Sequence, residues 1–254
     1  MNMFDLSDKV AIVTGGNGGI GLGMAEGLAK AGAQVVVAGR NAAKSAQAVE
    51  QLKAHGGRAI AIEVDVTDEA SCKKLIEDTV SRLGRLDILV NNAGTNIRKQ
   101  PQEYSASEWH SVIDTNLTSA FICSNAAYPH MKQAGGGKII HIGSMMSIFG
   151  ASFSAVYAAT KGGIVQMGRA MACAWASDNI QVNCVLPGWI DTELTQRARA
   201  QYSDLEGRVT ARTPAGRWGL PNDFSGIAVF LSSPASDFLT GTAIPVDGGY
   251  SVQG

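Results

Sequence analysis

The stretch KVAIVTGGNGGIG, Lys9 to Gly21, decides the fold of this 254-residue chain. Its first part, Lys9 to Thr14, is a short apolar run rich in β-branched residues, the composition of a strand covered on both faces. A glycine cluster follows at once, and IGLGMAEGLAKAGA then carries a helical period that stops at Gly32. Strand, glycine turn and helix in that order bring the backbone close to a ligand and aim helix N-terminal amides at a pyrophosphate. The glycine string has two parsings. Gly16, Gly18 and Gly21 satisfy G-x-G-x-x-G, whereas Thr14, Gly15, Gly19 and Gly21 satisfy T-G-x-x-x-G-x-G. In either parsing it predicts a dinucleotide site.

Outward from this stretch the alternation continues. VVVAGR (Val35 to Arg40) and AIAIEVDV (Ala59 to Val66) read as strands, separated by the amphipathic helix AAKSAQAVEQLKAHGG. Then come EASCKKLIEDTVSRLG as helix, LDILVNNAG as strand and turn, and SEWHSVIDTNLTSAFICSNAAYPHMK as one long helix. KIIHIGS, IQVNCVLPG and TAIPVDGG are further strands, with AVYAATKGGIVQMG and NDFSGIAVFLSSP as helices between them. Seven nearly unbroken apolar strands alternating with helices predict an α/β fold. Its form is a single Rossmann-type, doubly wound parallel sheet of about seven strands with helices on both faces. No linker-like stretch divides the chain, so residues 1–254 are expected to form one domain. The regularity fails only from Trp189 to Arg217, a polar segment of mixed charge placed directly after a strand's C-terminal end. That position suits a substrate lid over 189–217, although an ordinary solvated helix would look the same.

Composition excludes several classes. A formal net charge of -1 leaves no electrostatic footprint for nucleic acid or an anionic membrane. The N-terminus MNMFDLSDKV lacks the pattern of a signal peptide, and no apolar run reaches membrane-spanning length, so a soluble cytoplasmic protein is expected. The four cysteines (Cys72, Cys123, Cys173 and Cys184) are scattered, with no CxxC and no clustered histidine, and no metal site is expected.

Tyr157 and Lys161 stand four apart in a helical segment and leave one face a turn apart, so both can act on one bound molecule. Ser144 closes the strand KIIHIGS thirteen residues earlier and can face the same pocket. Tyr128 and Lys132 repeat the spacing, with Thr115 thirteen residues before. Thr115, however, lies inside a helical pattern, and Pro129 favours a helix boundary or kink beside Tyr128. At the end of the second strand, Gly39 and Arg40 occupy the place where an NAD site carries a carboxylate for the ribose hydroxyls. Arg40 can pair with a 2′-phosphate, so NADP(H) is preferred over NAD(H); Arg40 could also merely cap the strand end.

These pieces together resemble the short-chain dehydrogenase/reductase family over essentially the full length. The matching motifs are TGGNGGIG, DVTD (Asp65 to Asp68), NNAG (Asn91 to Gly94), Asn116, Ser144, Tyr157 with Lys161, and PGWIDT (Pro187 to Thr192), in family order. The resemblance implies an NADP(H)-dependent enzyme interconverting a secondary alcohol and a ketone by hydride transfer. Asn116, Ser144, Tyr157 and Lys161 would be catalytic. Thr14, Gly15, Asn17, Gly19, Ile20, Gly21 and Arg40 would hold one end of the cofactor, Asp65 and Val66 would meet the adenine, and Asn92, Ala93 and Gly94 would line its channel. Val185, Pro187, Gly188, Ile190 and Thr192 would hold the nicotinamide end. Lys161 would also bind the nicotinamide ribose, and its ammonium would favour the Tyr157 phenolate. An ordinary phenol near 10 needs lowering by roughly two to three units to exchange protons near neutrality. Ser144 would stabilise the substrate oxygen, and Asn116, a poor helix former in mid-helix, would interrupt the helix and help hold a water for proton relay.

The tail TPAGRWGLPNDF, with VFLSSPASDFLTG and VDGGY, looks like the family's bacterial sugar-acid branch, the gluconate and 2-dehydro-3-deoxy-gluconate 5-dehydrogenases. Arg98 would then approach a substrate carboxylate, or else be a solvated loop charge, while Ser144, Met146, Phe153 and Trp189 would line the pocket. Met145, Met146, Phe149 and Phe153 make that pocket more apolar than a sugar acid needs. A less polar or cyclic ketone and a 3-ketoacyl thioester therefore stay open as substrates, and a non-enzymatic NADPH-sensing scaffold is a further alternative. The resemblance also implies a homotetramer.

Overall fold

All seven apolar runs become strands: β1 (Val10–Thr14), β2 (Gln34–Gly39), β3 (Arg58–Glu63), β4 (Ile88–Asn91), β5 (Gly137–Ile142), β6 (Ile180–Pro187) and β7 (Ala243–Val246). The structure, a computed structural model, describes residues 2–253. Every strand pairing is parallel, and the order across the sheet is β3-β2-β1-β4-β5-β6-β7. Chain order therefore reverses between β1 and β4, which opens a crevice beyond their C-terminal ends.

Strand side chains alternate between two cores. Ala11, Val13, Val35, Val37, Ile88 and Val90 face one side, where they meet α1 (Gly19–Lys30), α2 (Ala42–Ala54) and α9 (Ser225–Ser232). Ile12, Val36 and Leu89 face the other, against α3 (Glu69–Leu83), α5 (Ser119–Gln133) and α6 (Ala155–Trp175). The period of two, with both sets buried, is what turns an unbroken apolar run into a central strand. Three shorter helices complete the fold: α4 (Ala106–Ile113), α7 (Glu193–Gln201) and α8 (Leu205–Arg212). The last two lie in the segment after β6 and carry their own small core of Ala198, Leu205, Val209 and Trp218, with Trp189 packed on it.

Three expectations need correction. The long helix predicted from Ser107 to Lys132 is α4 and α5 joined by a π-helical turn, Asp114–Thr118. Pro129 marks no boundary, because α5 runs through it to Gln133. Cys123, Ala127 and Met131 bury that helix in the core, and this packing outweighs the one backbone hydrogen bond proline forgoes. The third strand stops at Glu63 instead of Val66, because the Asp65 carboxylate accepts hydrogen bonds from the Thr67 amide and hydroxyl and turns the chain.

Two glycines that no motif marks set the depth of α1. A methyl group on Gly23 would fall 2.0 Å from the Pro221 carbonyl oxygen, and one on Gly27 would fall 2.6 Å from that of Ser225. Backbone cannot give way as a flexible side chain can, so Gly23→Ala should cost about 1–3 kcal/mol. A clearly lowered denaturant midpoint is expected; an unchanged one would show that α1 does not need this close approach.

Candidate active site

The crevice between β1 and β4 is held by one hydroxyl. Thr14 Oγ1 accepts hydrogen bonds from the amides of Asn92 (3.0 Å) and Ala93 (3.1 Å) and donates to the Val90 carbonyl (3.3 Å). Asn92 answers by donating its side-chain amide to the carbonyls of Thr14 (2.9 Å) and Gly15 (3.2 Å). The structure selects the second parsing of the glycine string. Gly15 and Gly19 have φ of 62° and 52°, and a methyl on Gly21 would lie 2.4 Å from the Gly15 carbonyl oxygen. Gly18 offers α1 no side-chain cap and the first turn holds no acid, so its amides are free to face an anion.

At the far end of the crevice Arg40 is exposed just after β2. Asn17 donates to the Ser45 hydroxyl at 3.0 Å, joining the glycine loop to α2. Asp65 is held below the usual carboxylate range by its bonds from Thr67, with a smaller contribution from the Arg40 guanidinium. The side chains of Val66 and Ile190 are packed into the core, so a cofactor would meet their backbone. Ile20 is half-buried against the same core as Ile190. Pro187 ends β6, Gly188 leaves no room for a methyl beside Asp247, and Thr192 precedes α7 with its methyl against Gly19. One clasp was invisible in sequence: Lys44 of α2 pairs with Glu193 of α7 at 2.5 Å, beside Gly18. Glu193 is exposed and Lys44 partly so, and solvent screening leaves the pair worth about 1 kcal/mol or less.

The reacting end gathers residues from four segments. β5 ends at Ile142, and Ser144 is extended, with its Oγ accepting from the Met146 amide at 3.1 Å. Ser147 fixes this turn to α6 by donating to the Lys161 carbonyl at 2.6 Å while accepting from the Ser144 amide. The Asn116 side-chain oxygen accepts from the Thr95 amide (2.7 Å), and its NH2 donates to the Thr95 carbonyl (2.9 Å) and the Thr160 hydroxyl (3.2 Å). Its side chain thus ties the loop after β4 to α6. Gly94 sits in the same knot, where a methyl would lie 3.4 Å from Asn116 Oδ1 and 3.8 Å from Lys161 Nζ.

Lys161 is only 4% exposed. Its Nζ donates to the Ile142 carbonyl at 2.6 Å and lies 5.5 Å from the centre of the Tyr157 ring. Burial lowers the ammonium to about 8. Burial also raises the Tyr157 phenol above its ordinary value, opposed by a hydrogen bond with Ser144 and by the charge of Arg98. Arg98 thus adds a positive charge that favours the phenolate. In the protein alone the phenol is kept protonated at neutral pH.

Ser144 and Tyr157 open onto a cavity of about 600 Å³ that Arg98, Met146, Phe153 and Trp189 also line. Sequence reading missed Asn96, Leu205, Val209, Arg208, Arg212 and Tyr250, which α8, the chain's tail and the loop after β4 add to it. No local pattern singles these out. Asn96 Oδ1 is buried there and has no hydrogen-bond partner among the described residues. Tyr128 and Lys132, by contrast, both bond Asp178, and the Tyr128 ring stacks on Trp175. That pair is satisfied internally and faces no such cavity.

Comparison with known proteins agrees with this layout. The profile of the family described as Enoyl-(Acyl carrier protein) reductase matches residues 15–251. A 2-dehydro-3-deoxy-D-gluconate 5-dehydrogenase of Dickeya dadantii is 42% identical over 251 residues, covering 98% of each chain. A tropinone reductase homolog of Arabidopsis thaliana is 41% identical over 99% of this chain and 95% of its own. Among solved structures, a gluconate 5-dehydrogenase from Burkholderia cenocepacia in complex with NADP and tartrate superposes with a TM-score of 0.94. It is 38% identical, with 99% of this chain and 98% of that one covered.

Because the Thr14 hydroxyl satisfies two amides at the strand switch, Thr14→Val should leave both without a partner, at about 1–3 kcal/mol each if no water reaches them. The expected result is a lower Tm together with weaker NADPH binding, with Thr14→Ser close to wild type. A Thr14→Val protein that matches wild type in both would refute the role of this hydroxyl.

Proposed function

The chain belongs to the short-chain dehydrogenase/reductase family, and from that premise we propose that it interconverts a secondary alcohol and a ketone on a sugar acid or related polyol with NADP(H). One observation carries the reading. Ser144, Tyr157, Lys161 and Asn116, contributed by separate structural elements, converge at the C-terminal edge of a parallel sheet, and Ser144 and Tyr157 open onto one cavity.

The residues fit the cofactor. The positive-φ glycines and the closed space at Gly21 admit a pyrophosphate against backbone, and Arg40, with no carboxylate at residues 39–40, suits a 2′-phosphate. The bound nicotinamide supplies the hydride for reduction and accepts it in oxidation. Tyr157, protonated at neutral pH, gives its proton to the carbonyl oxygen during reduction, and Ser144 donates a hydrogen bond to the same oxygen. Oxidation needs that proton removed first, so its rate rises with pH. Lys161 holds its charge beneath the Tyr157 ring at the end of β5. Because the Asn116 side chain is fully engaged, a proton-relay water at this position would rest on backbone carbonyls of the π turn.

A second reading has a specific basis. Met145, Met146, Phe149 and Phe153 make one wall of the cavity apolar, which suits a less polar or cyclic ketone. Residues 189–217 serve as the lid, since α8 walls the cavity and α7 is clasped to α2 by a breakable ion pair. On family grounds we extend the proposal to a single-domain subunit of a cytoplasmic homotetramer. No helix among the described residues is long and apolar enough to cross a membrane.

Absorbance of reduced nicotinamide, followed across sugar acids, polyols and cyclic ketones, tests the reading. Tyr157→Phe should bind NADPH as wild type does while losing most turnover, on the order of a hundredfold or more. Near wild-type kcat in that variant would sink the mechanism. Cofactor choice rests on Arg40: wild type should prefer NADPH, and Arg40→Asp should reverse the preference. Equal NADH and NADPH affinity in the wild type would overturn the assignment.

A further inference from the structure

Charge is distributed unevenly around the cavity. Three arginines line it, and no aspartate or glutamate does. Arg208 is neutralised by Asp204 at 3.2 Å, whereas Arg98 and Arg212 form no ion pair among the described residues. Arg212 ends α8, lines the cavity and is set between two rings. Its guanidinium carbon lies 4.4 Å from the centre of Tyr250 and 5.5 Å from that of Phe149, and Nη1 donates to the Tyr250 hydroxyl at 3.4 Å. A guanidinium stacked on aromatic rings keeps its in-plane N–H donors, and a planar fork matches a carboxylate.

We propose that Arg212, oriented by Phe149 and Tyr250, is the anchor for the substrate's carboxylate and determines the preference for acids over neutral polyols. The inference rests on the sugar-acid reading and deepens it. In a 5-keto acid the carboxyl carbon lies four bonds from the reacting carbon, so with that carbon at Ser144 and Tyr157 the anion must sit well away from the phenol. Arg98 is poorly suited to this task. Its charge acts on the Tyr157 phenol, and a carboxylate paired with it would cancel that help at the reacting end. Arg212 belongs instead to the lid segment and the chain's tail. A carboxylate bound there joins α8 to Tyr250, so acid binding also draws the lid onto the substrate.

The test uses the full-length protein saturated with NADPH, with which an alcohol cannot react, and calorimetric titration of D-gluconate and of D-glucitol, its neutral counterpart with CH2OH in place of the carboxylate. Wild type should bind gluconate at least tenfold more tightly than glucitol. Arg212→Gln should bring the two within about twofold by weakening gluconate alone, Arg212→Lys should restore part of the difference, and Arg98→Gln should retain it. Thermal melts of each variant separate this from misfolding. A gluconate preference that survives Arg212→Gln, or is lost in Arg98→Gln instead, overturns the proposal, as does a wild type with no preference. Turnover of 5-keto-D-gluconate is measured in parallel. Its absence alongside Arg212-dependent gluconate binding would refute the sugar-acid reading and leave the anion site standing.

Discussion

Two neighbouring parallel strands whose following helices lie on opposite faces cannot close the space beyond their ends, and the rest of this structure depends on how that space is held. The strands are β1 and β4, with α1 on one face and α5 on the other. A single hydroxyl, that of Thr14, ties them by accepting from the amides of Asn92 and Ala93. From that knot the glycine loop is fixed on one side through the Asn92 side chain. On the other, Thr95 and Asn116 carry the connection to Thr160 on α6. The crevice beyond β1 and β4 and helix α6 are therefore parts of one hydrogen-bonded unit, not neighbouring features.

Charge follows a second rule. Lys161 is an almost fully buried ammonium with a backbone carbonyl as its partner, and desolvation lowers it to about 8. Burial acts on the Tyr157 phenol in the opposite direction, because there it penalises the anion. The same environment thus drives the two groups' proton affinities apart, so that the phenol keeps its proton more firmly than the ammonium does. The charge of Arg98 opposes this at the phenol. Among the described residues the cavity wall holds Arg98, Arg208 and Arg212 and no acid.

The sequence was informative where chemistry or periodicity is local. All seven strands appear as apolar runs, and Ser144 and Tyr157 open onto one cavity, with Lys161 buried beside the Tyr157 ring. It was misleading at Pro129, where a local propensity lost to the burial of Cys123, Ala127 and Met131. It was ambiguous at the glycine string, because backbone dihedrals, not glycine count, distinguish Gly15 and Gly19 from Gly16 and Gly18. Asn116 was correctly placed in a disturbed helix, but its side chain holds the loop after β4, a contact between residues 95, 116 and 160 that no motif contains.

By itself the sequence determined the parallel sheet, the glycine-lined crevice and the residues proposed to react. Strand burial is written in a period of two, turn geometry in glycines, and proton chemistry in residue type. Only the tertiary structure decided what else lines the cavity. Arg98 and Phe149 could be named from the sequence, whereas Arg212 and Tyr250 come from two further segments in which each is an ordinary residue. Their meeting is set by how the segment after β6 folds back over the sheet edge. That is a matter of packing between Trp189, Trp218 and the two short helices, and no local pattern encodes it.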